Sequence, residues 1–495
     1  MSEINNDIVK VFDEVETKPQ HTVADNELVL SNGKKITLSD QQFEAIQRIK
    51  KWLKEKDKTF FTLAGAAGSG KTTVIKKILD NYRNGVVVSA PTHKATGVIR
   101  NITNKESATL HSLLGLKPDL FLENFDPNFP VFNPISPPRI TYHSLVVLDE
   151  ASMVNQDLFN LIKEKTKNSR TKVLFVGDPH QLPPVNERES VVFIQEDIEK
   201  YELTTIMRQA DTNPILLVAD IVRNNLTDIN GGGFERKTNI NINNEGIIFT
   251  VDKREFRRMV LEKFMSEEFN KDINFCRGIA WKNETVMQSN NVVRTAIFGN
   301  KTDIVEVNDV IMGYRTTMND TQNQIIIQNS ADYRIVEKSG LEENVYGISG
   351  YNVKIREDLN KGKFKFEDVF IIDANNHDNL HLYAQMHDFF KDTAKSNKKM
   401  WNKYYEFRRN NLLMKNIDKY QNGRLRNSGE VICRDIDYGF FLTCHKVQGS
   451  TYQHVNIILS DFEENRVLRE KNQLFYTALT RPVLTATILC NRIDK

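Results

Sequence analysis

Residues 65 to 72 read GAAGSGKT and lie between the apolar run TFFTLA and the helix-periodic stretch TVIKKILDNY. Few octapeptides restrict a chain so strongly. Gly65, Gly68 and Gly70 permit a backbone curl in which successive amides face one point, and the helix that follows aims its positive dipole end at the same place. Such a point suits a chain of phosphates. Lys71 is placed to reach the β and γ oxygens and the Thr72 hydroxyl to ligate Mg²⁺, while Ala66, Ala67, Ser69 and Thr73 complete the cradle. Strand, glycine-rich turn and helix in succession also commit this part of the chain to an α/β fold.

The same rhythm continues. GVVVSAPT, SLVVLDEAS and KVLFVGD are apolar runs that end in polar turns, with helical periodicity between them, and INFCRGIAWKN, YGFFLTC, HVNIILSD and LTATILC form a second set. Two parallel sheets covered by helices are expected. The expected organisation is an N-terminal extension with a hairpin (1–37), a first α/β domain (38–116 and 141–210), and a second one (211–305 and 436–495). Two insertions interrupt them. One is the proline- and phenylalanine-rich segment 117–140, and the other, 306–435, reads as a small β-barrel with a basic aromatic helical arm, KSNKKMWNKYYEFRR.

Asp149 and Glu150 follow a buried strand, where a phosphate-loop ATPase needs two carboxylates with different tasks. Asp149 would hold Mg²⁺, largely through water, and Glu150 would orient and deprotonate the attacking water. NKTD at 300–303 matches a guanine-reading motif, but it lies far from Lys71 and no D-x-x-G accompanies it, so it is read as a polar loop and a GTPase is not expected.

Lys and Arg number 67 against 65 acidic residues, so any nucleic-acid surface must be local. No apolar run approaches the ~18 residues of a membrane span. The four cysteines form no C-x-x-C pair, and the acidic N-terminus lacks a signal-peptide layout. A cytoplasmic protein without a membrane partner is expected.

Taken in order, LSDQQFEAI, GAAGSGKT, APTHKATGV, TLHSLLG, VVLDEASM, GDPHQLPPV, LTTIMRQ, FFLTCHKVQGST and FYTALTR resemble the motifs of a superfamily 1 helicase, nearest to the Dda-type phage helicases and the RecD-like branch that moves 5′ to 3′. The resemblance implies two RecA-like domains, a pin that splits the duplex, and a barrel with an arm that braces it. It implies that Gln42 reads the adenine edge, that Gln181 senses the γ-phosphate and reports it to the DNA track, and that Arg208 and Arg481 approach the γ-phosphate. Gly449 falls on the nucleotide side. Thr92, His93, Lys94, Thr109, His111, Ser112, Pro184, Val185, Thr443, His445, Lys446 and Ser450 would follow single-stranded DNA, and Phe121, Phe125, Phe129 and Phe132 would form the pin. Arg481 departs from the family pattern in being followed by proline. The partners implied are single-stranded DNA and a forked duplex, with single-strand-binding or replisome proteins beyond them; a monomer and, for a phage gene, the host cytoplasm are the expected state and location. The alternative within this reading is a translocase that strips proteins from single strands and unwinds little.

Overall fold

The computed structural model describes residues 27–29, 35–80, 82, 84–118, 132–134, 137–205, 213–228, 233–318, 325–359, 363–418, 420–421, 424–425 and 431–494. The chain divides into two compact units, Met1–Leu217 and Val218–Lys495.

In the first unit six strands, β1 (Phe60–Gly65), β2 (Val86–Ala90), β3 (Glu106–Thr109), β4 (Leu145–Leu148), β5 (Lys172–Gly177) and β6 (Glu199–Leu203), form one sheet in the order β6-β1-β5-β4-β2-β3. Every neighbouring pair is parallel. These strands are apolar throughout because helices cover both faces. Alternate side chains feed separate cores. Val86, Val88, Leu145, Val147, Leu174 and Val176 pack on one side with Trp52 and Ile75, while Val87, Val146, Leu148, Val173 and Phe175 pack on the other with Phe159 and Leu113. The expected hairpin is present as Glu27–Val29 against Lys35–Thr37; its Asn32-Gly33 turn lies outside the described residues.

Helix α1 (Asp40–Lys54) opens with a capping box in which Ser39 accepts from the Gln42 amide and the Gln42 side chain accepts from the Ser39 amide. Two orphan donors are thereby satisfied reciprocally. Helix α2 (Lys71–Leu79) begins directly at the glycine-rich turn, and α3 (His93–Thr103) is capped by Thr92.

The second unit contains, in chain order, β7 (Gly246–Thr250), β8 (Cys276–Ala280), β9 (Val310–Gly313), β10 (Asp332–Lys338), β11 (Ser349–Leu359), β12 (Lys363–Ile372), β13 (Ile436–Tyr438), β14 (Phe441–Thr443), β15 (Tyr452–Ile458) and β16 (Pro482–Leu489). Its main sheet runs β7-β16-β15-β8-β14, all parallel, with the short strand Asn239–Ile240 antiparallel at the β7 edge. Gly278 in β8 is required by packing, since an added Cβ would meet the Phe441 ring at 2.3 Å. Pro482 causes no disruption after Arg481. It is the first residue of β16, where the missing N–H is tolerated.

The insertion begins and ends at one place, because its first strand, β9, pairs with β13, which follows directly on its end. Between them β9, β10, β11 and β12 form an antiparallel sheet dominated by the long β11–β12 hairpin. No pairing among the described strands closes this sheet into the expected barrel. The expected arm is a helical hairpin, α4 (His377–Ser396) and α5 (Trp401–Arg409). Its aromatics do not form an outward basic-aromatic face: Tyr404, Phe407 and Arg408 are fully buried and Trp401 nearly so. Phe407 rings with Tyr346, Tyr383 and Phe390 at 5.2 to 5.3 Å, so the arm is part of the insertion's core.

Candidate nucleotide site and nucleic-acid interface

The sheet order of the first unit arranges the motifs along one edge. GAAGSGKT follows β1, GDPHQLPPV follows β5, Asp149 and Glu150 follow β4, APTHKAT follows β2, and TLHS sits at the end of β3. In a parallel sheet all these loops emerge at the carboxyl ends of strands, where open α/β sheets place their ligands.

Gly68 and Gly70 have φ of 82° and 87°, the left-handed region that glycine adopts without cost. Gly65 is equally constrained, because a Cβ there would meet Ser69 Oγ at 2.6 Å and the Leu203 carbonyl at 3.0 Å. The Lys71 ammonium donates to the carbonyls of Gly65 at 2.7 Å and Ala66 at 2.9 Å, which holds it inside the loop. The buried Ser69 hydroxyl has no hydrogen-bond partner among the described residues. A left-handed turn, a central ammonium and an orphaned hydroxyl fit a phosphate chain. Thr72 and Thr73 open the helix beside them, half-buried.

Gln42 is buried. Its oxygen accepts from the Ser39 amide, and its Nε2 reaches the Ser69 carbonyl at 3.5 Å, so the side chain joins the start of α1 to the phosphate loop. Its neighbour Gln41, which sequence reasoning missed, accepts from the amides of Thr204 and Thr205 at 3.0 Å and ties the same helix to the end of β6.

Asp149 and Glu150 are half-buried. Burial and then the Glu150 carboxylate push Asp149 up to about 6, against the Glu150 amide and the Lys71 ammonium, which pull it down. Glu150 itself sits at φ 53°, ψ 42°, a left-handed conformation uncommon for a residue with a Cβ. Strain of this kind, of order 1–3 kcal/mol, persists where surrounding structure enforces it. Here the 3-10 turn Ala151–Met153 follows at once, and Ser190 clamps it by donating to the carbonyls of Ala151 and Val154 at 2.8 and 2.7 Å. Gly177 lets the end of β5 approach that turn, since a Cβ would meet the Ala151 amide at 3.0 Å. The two carboxylates and the GDPHQ loop are therefore braced against each other.

Beyond Gly177, Asp178 accepts from the His180 amide at 3.0 Å, and its carbonyl accepts from the Gln181 amide at 3.3 Å. This turn buries Gln181, leaves Pro183 and Pro184 half-buried, and exposes Val185. The hydroxyls of Thr92 and Thr109 cap helices, accepting from the amides of Ala95 and Ser112 at 3.3 Å. Thr109 is buried, His111 half-buried and Ser112 exposed; His93 and Lys94 open α3, and their side chains are not among those described. Arg208, Phe121, Phe125 and Phe129 lie outside the described residues, and Phe132 is described only as the start of a short strand paired with Leu116–Pro118.

The second unit brings Arg481 to the Gly449–Ser450 turn. Arg481 Nη1 donates to the Ser450 carbonyl at 3.3 Å and Nε to the Thr477 carbonyl at 3.0 Å, and Gly449 has φ 70°. Ser450 is buried, Thr443 half-buried, and burial lowers His445 against the raising effect of Glu470. Asp303 of NKTD ion-pairs with Lys338 at 2.6 Å, which makes that motif a surface loop.

Residues 37–231 match the family described as an AAA domain, and residues 438–482 match the UvrD-like helicase C-terminal domain. Among curated relatives, the ATP-dependent DNA helicase dda of Enterobacteria phage T4 is 27% identical over 316 residues, covering 61% of this chain and 67% of its own. The two matched domains together with this relative support a superfamily 1 helicase of the Dda, RecD and Pif1 type. An uncharacterized protein of Acanthamoeba polyphaga mimivirus is 25% identical and covers 89% of this helicase and 97% of itself. The RecD2 DNA helicase of Deinococcus radiodurans is 27% identical, covering 48% of this chain and 34% of its own. Among the described residues of the helicase no helix is long and apolar enough to cross a membrane. Nor is there, among those residues, a cluster of three metal-binding side chains.

Proposed function

We propose that the protein is an ATP-dependent DNA helicase that moves 5′ to 3′ along one strand of a forked duplex. The observation that carries this reading is the strand order β1-β5-β4-β2-β3. It aligns the phosphate loop, the Gln181 loop and the carboxylates with the two loops assigned to the strand, Thr92–Lys94 and Thr109–Ser112, along one edge. Two relatives at 27% identity are named as ATP-dependent DNA helicases.

In this reading Gln42 recognises the base and the amides of residues 65–70 hold the phosphates. Lys71 leaves its two carbonyl partners for the β and γ oxygens. Mg²⁺ held by Thr72 and Asp149 would neutralise charge as it develops on the phosphates. Glu150, fixed by its strained turn, accepts a proton from the attacking water. Arg208 and Arg481 supply positive charge to the γ-phosphate. Gln181 can donate to a phosphate and accept from water at once, so it reports nucleotide state toward Pro184 and Val185. Thr443, His445, Lys446 and Ser450 serve the strand from the second unit, and the phenylalanines of 117–140 act as the pin.

The deciding experiment is ATP hydrolysis with and without a single-stranded oligonucleotide, with Lys71→Ala as blank. Strong stimulation that the variant lacks is expected; a rate indifferent to the strand refutes the motor. Gln181→Ala should retain strand-independent hydrolysis and lose most of the stimulation and unwinding. Unchanged stimulation would remove Gln181 from the coupling.

A further inference from the structure

Lys446 lies in the 3-10 turn Cys444–Val447, directly after β14. Its ammonium donates to Asn329 Oδ1 at 2.9 Å and sits 4.4 Å from the centroid of the Tyr314 ring. The Arg434 guanidinium sits 4.1 Å from the same centroid. Tyr314 follows β9, and Asn329 and Arg434 also belong to the insertion, so a strand-facing motif of the main sheet meets three residues that no motif marks.

The charges do not balance. Arg434 pairs with Asp437 at 2.5 Å, but no carboxylate among the described residues lies within ion-pair distance of Lys446. The charged and titratable groups facing the ammonium are Tyr314, Arg434 and, behind Arg434, Asp437. Burial first, and then Arg434, lower Lys446 to about 8. A half-desolvated ammonium next to a second cation disfavours its own charged form, and an anion within reach removes both costs. Tyr314 partly offsets them through its ring, which attracts both cations. With two cations about 4 Å from its centroid, that ring is already engaged, which argues against a stacked nucleic-acid base.

We propose that Arg434 and Lys446 form a phosphodiester clamp on the single strand, with Tyr314 as the positioning residue that sets their spacing. The proposal rests on the motor reading above and deepens it: the insertion joins the second unit in gripping the backbone, without reading sequence.

The test is anisotropy of a fluorescein-labelled oligothymidylate across a salt series at pH 7 and 9.5. Arg434→Gln and Lys446→Gln should each weaken binding several-fold and reduce the log–log salt slope by roughly 0.7, the amount expected for one phosphate on a single strand. Wild-type affinity should fall between the two pH values more than that of Lys446→Arg, which keeps its charge. In Tyr314→Leu, which removes the ring's attraction for both cations, the midpoint of that fall should move to lower pH. Melting curves establish that each variant is folded, and where a neutral variant is not, Lys446→Arg carries the test through its pH profile. If wild type binds the strand and the variants keep its slope and pH profile, the clamp is wrong while the motor reading stands. If wild type binds no strand, the motor reading fails, and the clamp with it.

Discussion

Asp332→Leu tests how firmly the insertion is joined to the second sheet. Asp332 opens β10 of the insertion and pairs at 3.0 Å with Arg277, a fully buried residue of β8. The guanidinium has few other partners: the Gly439 carbonyl, the Ile273 carbonyl at 3.4 Å, and the Tyr452 ring at 4.9 Å. Removing one member of a buried pair leaves an uncompensated charge and typically costs 3–5 kcal/mol. Since two carbonyls and an aromatic face stay with Arg277, the loss should lie at the lower end, about 3 kcal/mol. The double variant Arg277→Met/Asp332→Leu removes both charges and should lie within about 1 kcal/mol of wild type, so that removing the second charge recovers roughly 2 kcal/mol of the single variant's loss. Urea unfolding followed by tryptophan emission resolves this, because Trp281 and Trp401 report the second unit and Trp52 the first. A single variant as stable as wild type, or a double variant as weak as the single, would refute the reasoning. So would a loss read only through Trp52.

Hydrolysis should depend on pH through Asp149. Because burial raises this carboxyl to about 6, its ionised form, which a cation requires, is reduced to about a tenth at pH 5, and kcat/KM for ATP, which reports the free enzyme, should fall accordingly. The sign for stability is opposite: the folded state binds this proton more tightly than the unfolded one, so stability falls as pH rises from about 4 to 6 and is level above. Asp149→Asn should therefore melt higher than wild type at pH 7.5 while losing turnover, and a flat pH–rate profile with an unchanged melting temperature would contradict this. Phe407→Ala should cost about 3–5 kcal/mol as a core truncation. In a cold binding assay it should leave strand affinity near wild type, and a selective loss of affinity without destabilisation would contradict a purely structural role for Phe407.

Much of the site was legible because each motif follows an apolar run. A strand buried on both faces must be apolar, so VVVSA, LVVL and KVLFVG announce themselves, and the polar residues after each must sit at its carboxyl end. What periodicity does not carry is which strands are neighbours. That GDPHQ emerges between the phosphate loop and the carboxylates follows from pairing of β5 with β1 and β4, set by contacts more than a hundred residues apart for one of them. Which face of the arm is buried is a separate question. Its composition is basic and aromatic, yet Trp401, Tyr404, Phe407 and Arg408 recur at helical spacing on one face, and that face is the buried one. Composition averages the two faces, whereas spacing separates them. In the cluster of Tyr314, Arg434 and Lys446 only the lysine lies in a motif; the other two had no local signal, because the three are brought together only when β9 pairs with β13 and the chain passes on into β14. The part of a site that lies within one loop can be read from residue order. The part assembled across an insertion depends on how that insertion's ends close, and here they close beside the loop that carries Lys446.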